Sequence, residues 1–336
     1  MAGLKFLGKL FSFLLTIVGV LPFFLGTSTY KEFLEFANLS QRAAYIIGAV
    51  LVIIAGAIFL VLNRLRDKDA EKSSDYIKEF HQEVTKNCFA LRNRNRSTPE
   101  FPDHEKFYQD TKAKGYILCD HIANFLKYKY NKDFGVCIKM IERRSTVRGK
   151  ANWIDTVQVY TYCRAGYEHI AREKEEKERA MKKDSTARYL TPIRENSGFL
   201  GILRANESRD GQQQGASAFM VPNIWTYKLL RRIMQESPYS TPNDSSPKYY
   251  NSTLVVPIRI ETECLQPKDQ EPFAGEFQVI GFLCVDHKKS LPIATLREMV
   301  GYINGFGSSL YEWFHEIRKV DDKITEYERK NRAKEK

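Results

Sequence analysis

Two stretches of the chain, residues 10–30 and 43–63, contain no charged side chain, and nothing else in the sequence constrains its folding so tightly. Each reaches the roughly 20 residues that an α-helix needs to cross about 30 Å of hydrocarbon. The second opens Ala43-Ala44-Tyr45-Ile46-Ile47, contains no proline, and is too long for an ordinary core helix. The first contains Pro22, a kink that membrane helices tolerate. It also follows Lys5 and Lys9, a pattern shared with secretory signal peptides. No small-x-small cleavage site follows the run, and the second span gives it a partner, so the expectation is a retained two-helix hairpin over 1–62. Lys5, Lys9, Arg64, Arg66 and Lys68 flank one side, whereas the loop 31–42 sets its cations against Glu32 and Glu35. The cation bias therefore places both termini in the cytoplasm, with the hairpin in the inner (plasma) membrane and the lipid bilayer as first partner.

The rest of the chain is long enough for one sizeable core. Its 28% charged content and net charge of +11 raise the question of a polyanionic partner. The charge is diffuse: Arg92, Arg94 and Arg96 form one cluster and Arg143, Arg144, Arg148 and Lys150 another, without the interleaved aromatics of a stacking platform. Nucleic acid is therefore not an expected partner. The cysteines at 88, 119, 137, 163, 264 and 284 stand apart, without a CxxC pair. Cys119 with His121, and Cys284 with His287, each offer two ligands where zinc wants about four. No metal site is expected, and the thiols read as small buried hydrophobes of a reducing compartment.

Beyond the basic juxtamembrane turn, Ile77, Phe80, Val84, Asn87 and Leu91 recur at alternating spacings of three and four, the seam of a connecting helix within 63–103. The same alternation runs much further near the other end, through Leu296, Met299, Ile303, Phe306, Leu310, Trp313, Ile317, Val320, Ile324 and Tyr327. Ser290 before Leu291-Pro292 supplies a start signal, so a long helix over about 291–330 is predicted. Its first half is expected to pack on the domain's own sheet. The charged part after Glu316, including a tail over 319–336, has no evident intramolecular surface to bury against, and a coiled-coil homodimer through the flanking helices is the expected use. Gly301, Gly305 and Gly307 each weaken that helix by about 1 kcal/mol relative to alanine, with close packing as the expected compensation.

Between these helices, 104–130 has helical periodicity, and 134–142, 154–164, 253–260 and 279–285 read as strands. The order argues for an α+β fold with an antiparallel sheet. Residues 166–188 carry Glu173 with Lys177 and Glu175 with Arg179 at i,i+4 spacing, a solvated helix. Residues 205–217, 237–248 and 262–276 are polar, Gly- and Pro-containing loops. Tyr250-Asn251-Ser252-Thr253-Leu254-Val255-Val256-Pro257-Ile258-Arg259, followed after an insertion by Val279-Ile280-Gly281-Phe282-Leu283-Cys284-Val285-Asp286, resembles the last two strands of a GAF domain. The final helix stands where that family has its closing helix. Thr191 to Glu195 and then Asn196-Ser197-Gly198-Phe199-Leu200-Gly201-Ile202-Leu203 are similar to the segment such domains place over their pocket. The resemblance covers about 104–318 and implies a GAF-like antiparallel sheet flanked by helices, following two transmembrane helices. The Asn-Lys-Phe-Asp-Glu signature of cyclic-nucleotide-binding members and a bilin-attaching cysteine are both absent, so neither ligand is implied.

Strand alternation sorts Val157, Val159 and Cys163 to one face and Gln158, Tyr160, Tyr162 and Arg164 to the other. Aromatic rings beside a cation suit a planar or anionic small molecule. Those four, with Asn196, Phe199, Trp225 and Arg259, are the candidate ligand residues, against the plainer alternative of a solvent-facing sheet surface. No Ser-His-Asp arrangement, GxxxxGK loop or HExxH helix occurs, and enzymatic activity is not expected. The sequence thus reads as a membrane-anchored cytoplasmic sensor that binds a small molecule or protein. A membrane effector whose hairpin acts on the bilayer, as in bacterial defence, and a ligand-free interaction scaffold are the alternatives.

Overall fold

The computed structural model describes residues 41–96, 104–142, 156–167, 171–174, 178, 190–207, 218–234, 250–261 and 277–334. The chain divides into two units, Met1–Asp75 and Tyr76–Lys336. The first expected span, 10–30, lies outside the described residues, as do the expected loops 237–248 and 262–276, most of the 166–188 insertion and all of the expected loop 205–217 except 205–207, which are helical.

In the first unit the second expected span is helical, within α1 (Gln41–Arg96). Among the described residues no helix is long and apolar enough to cross a membrane. The side chains of 41–49, 51, 52 and 55 are themselves outside that description. Those that follow are apolar and exposed: Ile53, Ile54, Phe59, Leu60, Val61 and Leu65 all face outward, Ile53 at 70%.

The second unit is built on an antiparallel sheet. Its strands, among the described residues, are β1 (Gly135–Ile141), β2 (Gln158–Gly166), β3 (Thr191–Pro192), β4 (Phe219–Val221), β5 (Ser252–Glu261) and β6 (Phe277–His287), in the spatial order β3-β2-β1-β6-β5-β4. The two strands on which the sequence resemblance rests, β5 and β6, pair in antiparallel register from Ser252 opposite His287 to Glu261 opposite Phe277. Gly166 closes β2 at φ +77°, where a Cβ would collide with the Phe134 carbonyl oxygen that accepts the Tyr167 N–H.

One face of the sheet is covered by α2 (His104–Tyr130) and α5 (Ile293–Lys334). Residues 76–96 of α1 join that layer: Phe80, Val84 and Leu91 are buried in the same cluster as Phe125, Ile138, Leu283, Phe306 and Trp313. Phe80 and Phe125 both meet Phe306 edge-on, at 4.6 and 5.5 Å between centroids. Most positions of the seams predicted on both helices are therefore occupied by this unit's own core; Tyr327, the last on α5, is 40% exposed.

The end of α5 departs from expectation. Val320 and Ile324 are fully buried in the large core. Around them Glu316 accepts from Arg92 Nε at 3.1 Å, and His104 reaches Asp321 at 3.4 Å and Thr325 at 3.3 Å. Lys323 Nζ donates to the Asn95 carbonyl at 2.7 Å. As far as Thr325 the charged-looking tail has an intramolecular surface, supplied by the end of α1 and the start of α2; Glu326, Tyr327, Arg329 and Lys330 beyond it are exposed. Of the three glycines, only Gly307 lies close to a neighbouring element, 3.2 Å from a would-be Cβ to the Pro257 carbonyl; Gly301 and Gly305 face open space, so close packing compensates one position rather than three.

The other face carries α3 (Ser197–Glu207), preceded by a short 3-10 turn at Ile193–Glu195. Phe199, Ile202 and Leu203 of α3 form with Cys137, Ile141, Val159, Val255, Val279, Phe282 and Cys284 a second, smaller buried cluster.

Candidate functional site

The sheet's smaller cluster is where a ligand face would have to lie, because the opposite face is sealed by three helical segments. What reaches it is decided by two bulges. In β2, Cys163 stands opposite Ile138 but Thr161 opposite Lys139, so Tyr162 is an extra residue. Alternation restarts after it. Tyr160 and Tyr162 point into the helical layer; Tyr162 meets Phe314 edge-on at 4.9 Å and Tyr108 at 5.7 Å. Cys163 follows on the same side, its sulfur 3.5 Å from that of Cys119. Thr161 and Arg164 take the other face, Thr161 accepting from Lys139 Nζ at 2.7 Å and Arg164 approaching Cys137 Sγ at 3.7 Å. The second bulge, at Ile280 in β6, leaves Arg259 opposite Val279 on the α3 side.

Strict alternation therefore fails at one residue. Gln158 shares the side of Tyr160 by alternation, and those two with Tyr162 belong to the helical layer. Arg164 lies on the opposite face from all three. Cys163, expected away from Tyr162, is on its side.

The remaining candidates also separate. Phe199 lies on the α3 face and stacks on Phe282, centroids 4.4 Å apart and planes 10° from parallel. Asn196 caps α3: its Oδ1 accepts the Gly198 and Phe199 N–H groups at 3.1 and 3.2 Å. Arg259 is half-buried at the same face. Trp225 belongs to neither face; it is exposed on α4 (Ile224–Ile233). The eight candidates thus fall into three places, with Arg164, Phe199 and Arg259 on the α3 face and Asn196 at its edge.

That face is graded. Its apolar end is Ile141, Val157, Val159, Ile193, Phe199, Ile202, Leu203 and Phe282. Its polar end gathers groups that sequence reading passed over. Asp286 accepts from Arg172 at 2.8 Å and from Thr253 Oγ1 at 2.8 Å, and the Arg172 guanidinium lies 5.1 Å above the Tyr250 ring. Arg164 is 1% exposed, among the most buried large side chains. Burial pushes the Cys284 thiol well above its ordinary value, with Lys139 and Arg164 opposing the rise; Tyr250 is raised by burial and Asp286, against Arg172 and Arg164. Arg164, Arg172 and Lys139 are thus the cations acting on this end of the sheet. Among the described residues no group of acids, histidines and cysteines is arranged to hold a metal ion. Asp286 stands at the end of β6 opposite Thr253, and Arg172 lies within the 166–188 insertion, where no sequence pattern ties it to Asp286.

No protein-family model matches the chain, and no curated protein does. Several solved structures do. One is a GAF domain of A. Aeolicus in an inactive state, 10% identical over 73% of this chain and 97% of that one, with a TM-score of 0.34. Another is the GAF domain of an Acinetobacter phosphoenolpyruvate-protein phosphotransferase, 12% identical over 70% and 93%, TM-score 0.31. A third is a far-red cyanobacteriochrome photoreceptor, 14% identical over 63% and 96%, TM-score 0.29. At identities and TM-scores of this size the likeness decides nothing about what this chain binds.

Proposed function

We propose that the chain is a membrane-anchored sensor of GAF-like fold that takes a small anionic molecule between α3 and the sheet face bearing Arg164. The observation that carries this reading is the burial of that guanidinium, at 1% exposure, on the face covered by the eleven-residue α3. A guanidinium offers an anion strong, directional and often bidentate hydrogen bonds, and out of water such bonds are stronger still, so its place on this face suits a ligand of negative charge. Lys139 adds positive potential on the same face, while Arg172 is paired with Asp286. For a ligand to enter between α3 and the sheet, α3 has to shift and Phe199 has to leave Phe282. Binding then selects between two packings of α3 on the sheet, which is the physical content of sensing. The anchor is supported by the exposed apolar run of α1 after residue 52 and by the uncharged stretch before it.

The test is thermal unfolding of the full chain in detergent against inorganic phosphate, mono- and dicarboxylates and nucleoside monophosphates. A ligand at about 100 times its Kd adds roughly 2.7 kcal/mol, a rise of about 5–10 °C for a unit of this size. Arg164→Gln should lose that rise. A rise of equal size in Arg164→Gln, or no rise with any anion, would contradict the reading.

A further inference from the structure

α4 is firmly placed yet presents an exposed apolar face. Its N-cap Asn223 accepts the Thr226 N–H at 3.0 Å and donates to Ser290 Oγ at 2.7 Å, and Leu291 N–H donates to the Pro222 carbonyl at 3.0 Å. Ile224 is fully buried and Tyr227 packs beside it against Phe219, so one side of the helix is inside. Arg231 leans back over the Tyr227 ring at 5.7 Å. Trp225, Leu229 and Ile233, spaced by four, form a ridge on the outer side, exposed at 62, 57 and 67%, and Leu230 and Met234 widen it. At 100° per residue, Lys228 and Arg232 border that ridge along its edge. The helix contains no acidic residue.

An apolar ridge led by a tryptophan and edged by cations matches one surface chemistry: an anionic headgroup layer over hydrocarbon. A protein groove would need acidic residues ringing an apolar floor. We propose that α4 docks on the surface of an anionic bilayer, Trp225, Leu229 and Ile233 entering the headgroup–acyl boundary and Lys228 and Arg232 meeting the lipid phosphates. This rests on the proposed anchoring, which holds the domain near a bilayer.

The full chain is reconstituted in nanodiscs of phosphatidylcholine alone and of phosphatidylcholine mixed with phosphatidylglycerol, with and without brominated acyl chains that quench tryptophan on contact. Of the three tryptophans, Trp313 is fully buried and Trp153 is replaced by phenylalanine in every protein compared, so Trp225→Phe isolates the component that matters. Brominated chains should quench emission in the anionic discs, and the quench should vanish in Trp225→Phe. The docked-to-free ratio should fall roughly 25-fold in Lys228→Gln/Arg232→Gln, at about fivefold per cation. Equal quenching in wild type and Trp225→Phe overturns the proposal. So does Trp225 emission that escapes quenching but shifts blue as the chain-to-lipid ratio rises, since the occupant is then a second copy. If carbonate strips the chain from vesicles, the anchor fails and the docking surface is tested alone: it must still bind phosphatidylglycerol vesicles from solution through these residues, and failure there refutes it.

Discussion

Ile324 stands in the part of α5 whose pattern, read as sequence, called for a partner helix, so truncating it separates the two arrangements. Its side chain is 1% exposed in the large core. Ile324→Ala removes about three methylene equivalents, roughly 2.4 kcal/mol at about 0.8 kcal/mol each. Incomplete collapse of the cavity raises this toward about 3.5 kcal/mol, and alanine's better helix propensity returns about 0.5. The net cost is about 3 kcal/mol, a fall in Tm of about 6–12 °C for a unit of this size. The assay is thermal unfolding of the full chain in detergent by circular dichroism, over a wide range of protein concentration. An intramolecular core gives the same fall at every concentration. A variant that unfolds with the wild type when dilute, and earlier only when concentrated, would show that Ile324 belongs to an interface between chains.

Gly281→Ala should cost at least as much: its Cβ would lie against the Lys139 carbonyl oxygen and 2.9 Å from Met140 Sδ, so β1 and β6 must part, and the loss is read by chemical denaturation. His287 is held below its ordinary pKa by burial, helped by Lys132 and Lys289. The unfolded chain therefore takes up that proton first, and the stability His287 contributes above about pH 6.5 is lost as pH falls through its depressed native value. Tm measured from pH 7.5 to 5 should accordingly fall less steeply in His287→Phe than in the wild type. Cys88 is pushed up to about 11, chiefly by burial, and Cys119, Cys137, Cys163 and Cys284 are buried thiols. In a Cys264→Ser background, which removes the cysteine outside the described residues, thiol reagents at neutral pH should label the native chain far more slowly than the unfolded one.

Much of the fold was legible because its strands are locally consistent. Thr253–Ile260 and Val279–Val285 carry the β-branched pattern of paired strands, and β5 and β6 are paired. The heptad spacing of α5 and of 77–91 marked real buried faces; the pattern records that a face is covered, not by what. Glu316 and Arg92, which close α5 against α1, are 224 residues apart and leave no local trace. The site was less legible. Tyr160-Thr161-Tyr162-Cys163-Arg164 contains nothing that announces a bulge, because the extra residue is imposed by the register against β1. One residue of offset moved Arg164 across the sheet from its expected neighbours. Asn196, before Ser197-Gly198, does carry a readable signal, that of a helix cap, and the structure gives it that place. Trp225 looked like a pocket aromatic only while the helix bearing it had no orientation.

The central claim is that α3 and the Arg164 face together receive an anion, and amide hydrogen exchange tests it at the backbone. The full chain in detergent is compared with and without inorganic phosphate and nucleoside monophosphates, in wild type and in Arg164→Gln. The account predicts that at least one anion slows exchange across 197–207 and 158–166 in the wild type and leaves Arg164→Gln unchanged. Protection that is the same in both proteins, or that appears only outside these two segments, would contradict it.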